Sequence, residues 1–130
     1  MPYSVCDRVL NLEPGVSGTA IKNVTFSEDY LSTHFPLFPV MPAAMMIDAV
    51  SAVSGKVLIA GLGGQVRTFL VSVSGAKFRR FVRPGDELRI DVSSKRLDKT
   101  EYRAEFSAEI TVDGERTASL RHVVLGWEAN

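Results

Sequence analysis

The chain has 130 residues, 45% of them hydrophobic and 23% charged, which is the size and composition of one globular domain and not of a disordered segment. Fifteen Lys and Arg balance fifteen Asp and Glu, so the basic excess that nonspecific nucleic-acid binding needs is missing. A single cysteine excludes an internal disulfide or a multi-cysteine zinc site, and two histidines exclude a histidine-rich metal cage.

In chain order, Asp7 to Leu12 predicts a short strand stopped by the turn Glu13-Pro14-Gly15. Thr19 to Phe26, rich in β-branched residues, predicts a second strand. Ser27 to Met41 is irregular, because Pro36 and Pro39 forbid a regular helix or central strand. Pro42 suits the first position of a helix, and Ala43 to about Ala60 follows as the one long helix. Only Asp48 and Lys56 are charged in it, so the helix is expected in the protein interior. Either charge at mid-membrane depth costs about 2.5–3.5 kcal/mol, so this stretch is read as a core helix and the protein as cytoplasmic. Gly61, Gly63 and Gly64 end the helix, and no helix at phosphate-loop spacing follows them.

The hydrophobic period then changes to two. Phe69, Val71 and Val73 alternate with Leu70, Ser72 and Ser74; Leu88, Ile90 and Val92 alternate with charged residues; the even positions from Tyr102 to Val112 do the same. Asp113-Gly114 signals a two-residue hairpin, with Thr117 to Trp127 as the returning strand. This pattern predicts an α+β domain spanning 1–130, its antiparallel sheet wrapped around one central helix and solvated on its outer face. His122 shares its parity with Ala118, Leu120 and Val124, and is expected to be a buried, satisfied histidine. Cys6 and Trp127 read as packing residues.

The unusual chemistry lies between Thr33 and Asp48. A carboxylate inside an apolar helix faces a desolvation penalty that favours its protonated form, and a carboxyl held protonated can act as a general acid. His34 titrates near neutrality and is a candidate base, although a histidine in a proline-rich loop is also a common structural element. The amides of Ala43 and Ala44 at the helix start can polarise a carbonyl. Such a set suits proton abstraction next to a carbonyl, with neither metal nor cofactor.

Asp7-Arg8-Val9-Leu10-Asn11-Leu12-Glu13-Pro14-Gly15, Ile21-Lys22-Asn23-Val24-Thr25, His34-Phe35-Pro36 through Pro42, Lys77-Phe78-Arg79-Arg80 and Val82-Arg83-Pro84-Gly85-Asp86 occur in consistent order. Together they resemble the FabZ-type β-hydroxyacyl-acyl-carrier-protein dehydratases over nearly the whole chain. The resemblance implies a hot-dog fold and dimers, often assembled as trimers of dimers, with two active sites at each dimer interface. It implies that His34 removes the C2 proton of a 3-hydroxyacyl thioester. Asp48 of the neighbouring subunit would help protonate the departing hydroxyl, while the amide of Ala43 or Ala44 holds the thioester carbonyl. The product implied is a trans-2-enoyl thioester, with no cofactor beyond the phosphopantetheine arm of the acyl carrier protein.

On the same footing Phe35, Val40, Met41 and Met45 are expected to line the acyl tunnel, with Met46 as a further candidate; core packing is the expected role for at least two of the three methionines. Lys77, Arg79, Arg80 and Arg83 are expected to dock the acidic carrier; a solvated strand edge is the alternative for them. The chain departs from the family pattern at Thr33, Leu37 and Ala43, which replace glycines, and at Ala52, which replaces a glutamine one helical turn after the acid. These changes read as a divergent dehydratase serving fatty-acid or polyketide/polyene synthesis. The alternatives are a weakly catalytic partner subunit of a heteromeric dehydratase and a hot-dog thioesterase.

Overall fold

The computed structural model describes residues 8–24, 41 and 43–129. Six strands form one antiparallel sheet: β1 (Arg8–Glu13), β2 (Ser17–Asn23), β3 (Val66–Phe78), β4 (Glu87–Asp98), β5 (Arg103–Val112) and β6 (Glu115–Ala129). They lie in the order β1-β2-β4-β5-β6-β3, and α1 (Ala43–Gly61) packs against the inner face. The helix, 19 residues and about 28 Å long, is where the sequence puts it.

Period-two patterning explains the layers. Leu88, Ile90 and Val92 of β4, Phe106 and Ile110 of β5, and Leu120, Val123 and Leu125 of β6 point inward and are buried. They meet Met46, Ala49, Val50, Val53, Val57 and Leu58 of α1. Phe106 is among the largest fully buried side chains, so Phe106→Ala removes an aromatic from the centre of the core, a class of change that costs about 3–5 kcal/mol. Trp127, 7% exposed, packs edge-on against Tyr102 with ring centroids 5.8 Å apart. Cys6 lies outside the described residues.

The turns follow their residues. Asp113 and Gly114 both take positive φ, 52° and 80°, as a two-residue hairpin between right-twisted strands requires. After α1, Leu62 N–H bonds Leu58 O at 3.0 Å and Gly64 N–H bonds Ile59 O at 3.0 Å, with Gly63 and Gly64 at positive φ. These glycines therefore terminate a helix and do not cradle a phosphate.

Three expectations change. First, among the described residues α1 is not covered all round: Asp48 and Lys56, on the side away from the sheet, are exposed, as are Ala43 and Ala44 in its first turn. Second, β3 does not bury Phe69, Val71 and Val73 as one row. Among the described residues it is an edge strand paired only with β6, and a register shift between Leu70 and Ser72 breaks its alternation. Phe69, Leu70 and Val71 are all exposed; the Phe69 ring covers Gly126, where a Cβ would stand 2.6 Å from it.

Third, His122 is not buried. A bulge opposite Ser107 sets Phe106 against Val123 but Ala108 against Leu120, so the parity of β6 reverses between Leu120 and Val123. His122 therefore faces outward, its side chain 42% exposed, with Nδ1 2.8 Å from Glu105 Oε2.

Candidate active site

The residues singled out by sequence fall into three groups. His34, Phe35 and Val40 belong to the stretch 25–40, outside the described residues. Its two flanks are described, and both attach to one turn. Val24 N–H bonds Asp86 O at 3.0 Å, Gly85 N–H bonds Val24 O at 2.8 Å, and Met41 N–H bonds Val82 O at 2.7 Å.

The turn itself, Arg83-Pro84-Gly85-Asp86, is closed by Asp86 N–H on Arg83 O at 3.0 Å and by Arg83 N–H on Asp86 Oδ2 at 2.9 Å. Gly85 sits at φ 96°, and Pro84 precedes it with its fixed φ, the pairing a type II turn demands. The two sequence landmarks, one on each side of 25–40 and one at 82–86, are thus a single structural unit. Met41 is buried at 4% exposure beside it, and Lys22, 2% exposed, stands near the end of β2.

The second group is on α1. Ala43 and Ala44 are exposed in its first turn, which has no acidic side chain, and first-turn amides have no acceptor within the helix. Met45 is half-buried and packs against the core. Asp48 follows Ala43 by about 7.5 Å of helix rise. It lines a groove of about 490 Å³ with Ser51, Ala52, Gly55, Lys56 and Ile59 of α1 and Thr68 of β3. The depth of that groove depends on Gly55, since a Cβ there would come within 2.9 Å of Thr68 Oγ1. Asp48 is thus exposed along a groove rather than enclosed by apolar side chains. Ala52, one turn further on, carries only a methyl group and offers the carboxyl no hydrogen-bond donor.

The basic cluster divides. Lys77 and Arg79 line a basin on the outer face of the sheet, Arg80 pairs with Glu115 at 2.8 Å, and Arg83 belongs to the 82–86 turn. Sequence reading missed that Arg116 and Arg121 of β6 line the same basin. It also missed that Lys95, Glu105 and His122 meet beside it. The available signal was the charged alternation along β5, Arg103, Glu105, Ser107 and Glu109, all off the core face.

An antiparallel sheet wrapped over one long helix is the hot-dog fold, and the model of the FabA-like domain family matches residues 2–121. Solved structures repeat the architecture. AziG of S. sahachiroi superposes with a TM-score of 0.73 at 16% identity, covering 95% of this chain and 91% of that one. The dehydratase heterocomplex ApeI:P of Xenorhabdus doucetiae superposes with a TM-score of 0.65 at 17% identity, covering 85% and 88%. The chain belongs to the FabA/FabZ dehydratase family. Within it the FabZ type is the match: the 3-hydroxyacyl-acyl-carrier-protein dehydratase FabZ of Rickettsia massiliae is 36% identical over 126 residues, 95% of this chain and 86% of that protein.

Proposed function

We propose that this protein is a hydro-lyase that dehydrates (3R)-hydroxyacyl thioesters carried on an acyl carrier protein to trans-2-enoyl thioesters. The observation that carries the reading is the match to a FabZ dehydratase along 95% of the chain. Loss of water from C2 and C3 is redox-neutral and needs a base, an acid and a polarised carbonyl. We assign the base to His34 and the acid to Asp48. Donation of an amide hydrogen bond to the thioester oxygen falls to Ala43 or Ala44. The acyl chain is assigned to a tunnel bounded by Phe35, Val40, Met41 and Met45, and carrier docking to Lys77, Arg79, Arg80 and Arg83. One catalytic domain, residues 1–130, acts in the cytoplasm without a cofactor of its own.

Assembly follows from exposure. Asp48 stands on an open groove, and the adjoining edge strand β3 shows three consecutive apolar side chains and, among the described residues, no second strand partner. Such an edge accepts another strand readily. We infer a dimer formed across β3, the unit from which a trimer of dimers is built, in which the partner supplies the base facing Asp48.

The experiment is a purified chain given a 3-hydroxyacyl carrier, with enoyl thioester followed by ultraviolet absorbance. His34→Ala and Asp48→Asn each abolish turnover with an unchanged circular dichroism spectrum; full activity in either rejects the assignment. Ala52 beside Asp48 favours one second reading, a partner subunit in a heteromeric dehydratase serving polyketide or polyene synthesis. That reading predicts no turnover until a more typical dehydratase is added. Release of free thiol without enoyl product would instead mark a thioesterase.

A further inference from the structure

The outer face of the sheet carries a basin of about 560 Å³, floored by Ser93, Ser107 and Ser119, with Gly75 at one side. Both of its acids are matched. Asp91 accepts a hydrogen bond from Thr19 Oγ1 at 2.6 Å and pairs with Arg89 Nε at 3.2 Å, while Glu109 pairs with Arg116 at 3.1 Å. Lys77, Arg79 and Arg121 line the basin too, and among the described residues none of these three has an acidic partner. Lys77 and Arg79 are two residues apart at the end of β3, about 7 Å, and Arg121 lies diagonally across from Lys77 on β6 at a similar spacing, about 14 Å from Arg79. The result is a row of uncompensated cations, Arg79, Lys77 and Arg121, on an otherwise neutralised floor.

Arg121 reaches this position through two irregularities that share one clamp. The bulge in β6 turns Arg121 and His122 outward together, opposite Ser107. A second register shift, between Ser94 and Arg96 of β4, frees Lys95 from the ladder on the other side of β5. Glu105 of β5 holds both: Oε2 is 2.8 Å from His122 Nδ1 and 3.3 Å from Lys95 Nζ. Lys95 Nζ also donates to the backbone carbonyl of Arg121 at 3.0 Å. Behind Arg121, Gly75 adopts φ 65°, and a Cβ there would stand 2.8 Å from the Arg121 Cβ. Three strands therefore give up regular geometry around one arginine.

We propose that Glu105, acting through Lys95 and His122, is a positioning residue that fixes Arg121 in line with Lys77 and Arg79 as a docking row for an acidic helix of the carrier. The inference rests on the carrier-bound substrate put forward above. An acidic helix repeats its carboxylates at about 5.4 Å per turn, which long side chains at steps of about 7–8 Å along the row can follow. Arg80 contributes less, because Glu115 already pairs with it.

Two measurements on the full-length protein test this: steady-state kinetics with a carrier-bound and a short pantetheine substrate, and fluorescence anisotropy of labelled carrier at low and high salt. Glu105→Gln raises carrier KM and Kd about fivefold and leaves kcat and the KM of the short thioester unchanged. Arg121→Ser does the same directly. Lys95→Met reproduces the loss, and Lys95→Arg restores binding. Because Arg121→Ser leaves the clamp intact, it reports on docking even where Glu105→Gln lowers stability. Carrier binding by the wild type that neither Glu105→Gln nor Arg121→Ser weakens overturns the inference and leaves the dehydratase reading standing. Wild-type protein that dehydrates the short thioester but binds no carrier at low salt refutes the carrier reading and this inference together.

Discussion

Ser54 gives the sharpest stability test. Its side chain is fully buried on the core side of α1, and its hydroxyl oxygen has no hydrogen-bond partner. An unsatisfied buried hydroxyl costs about 1–3 kcal/mol. Ser54→Ala removes that cost and gains a few tenths of a kcal/mol in helix propensity, about 0.5 at most. Against this stands the void left by one oxygen, smaller than a methyl group and worth under about 1 kcal/mol. The net is a stabilisation of about 1–2 kcal/mol, which in a chain of this length raises Tm by about 3–8 °C.

Scanning calorimetry and urea titration measure it: the urea midpoint rises while the slope stays the same. Thr117 supplies the internal control. It is equally buried, but its hydroxyl bonds Glu115 O at 3.3 Å, so Thr117→Val brings no gain. A Tm for Ser54→Ala at or below the wild-type value refutes the account of Ser54 as an unpaired polar group.

Three further outcomes follow from the packing and the site. Gly61→Ala drives a Cβ to 2.6 Å from Gly15 Cα, backbone against backbone, and breaks the seat where Gly15 N–H bonds Val57 O; chemical denaturation should show a loss of about 1–3 kcal/mol even though alanine favours the helix. The Glu105 carboxyl is held below the usual carboxylate range, chiefly by its hydrogen bond with His122 and further by Lys95, with burial opposing them. A depressed folded pKa contributes stability that is present above the unfolded value and lost as pH falls through the folded one. The Tm gap between wild type and Glu105→Gln should therefore be full above the unfolded carboxylate value and close as pH falls through the lower folded one. Ala52→Gln places an amide one turn from Asp48, so kcat should rise severalfold with little change in KM; an unchanged kcat would mean that Asp48 needs no such support.

Much of the fold was legible because it rests on local periodicity. The helix boundary at Ala43, the Asp113-Gly114 hairpin and the inward rows of β4 and β5 all follow from spacing and turn chemistry within a few residues. What escaped depends on partners distant in sequence. The facing of His122 is decided by one extra residue in β6 opposite β5, and composition carries no mark of it. The exposure of Asp48 escaped for a different reason. Apolar residues on every side of α1 suggest complete burial, yet among the described residues six strands cover one side of the helix and leave Asp48 and Lys56 exposed on the other. The basic cluster looked continuous in sequence from Lys77 to Arg83, but the strand ends within it. Lys77 and Arg79 line the basin with residues of β6 more than thirty positions away, whereas Arg80 pairs with Glu115 at the start of β6 and Arg83 closes the 82–86 turn.

The shared anchoring of Val24 and Met41 has a consequence for how such a protein can change. Both bond to the 82–86 turn, so the intervening stretch leaves and returns to one place. The two ends are therefore set by a separate segment about sixty residues from the first of them. Pro84 and Gly85 fix the shape of that segment, so a substitution at either shifts both ends together. Positions far apart in the chain are in this way held to one another's geometry.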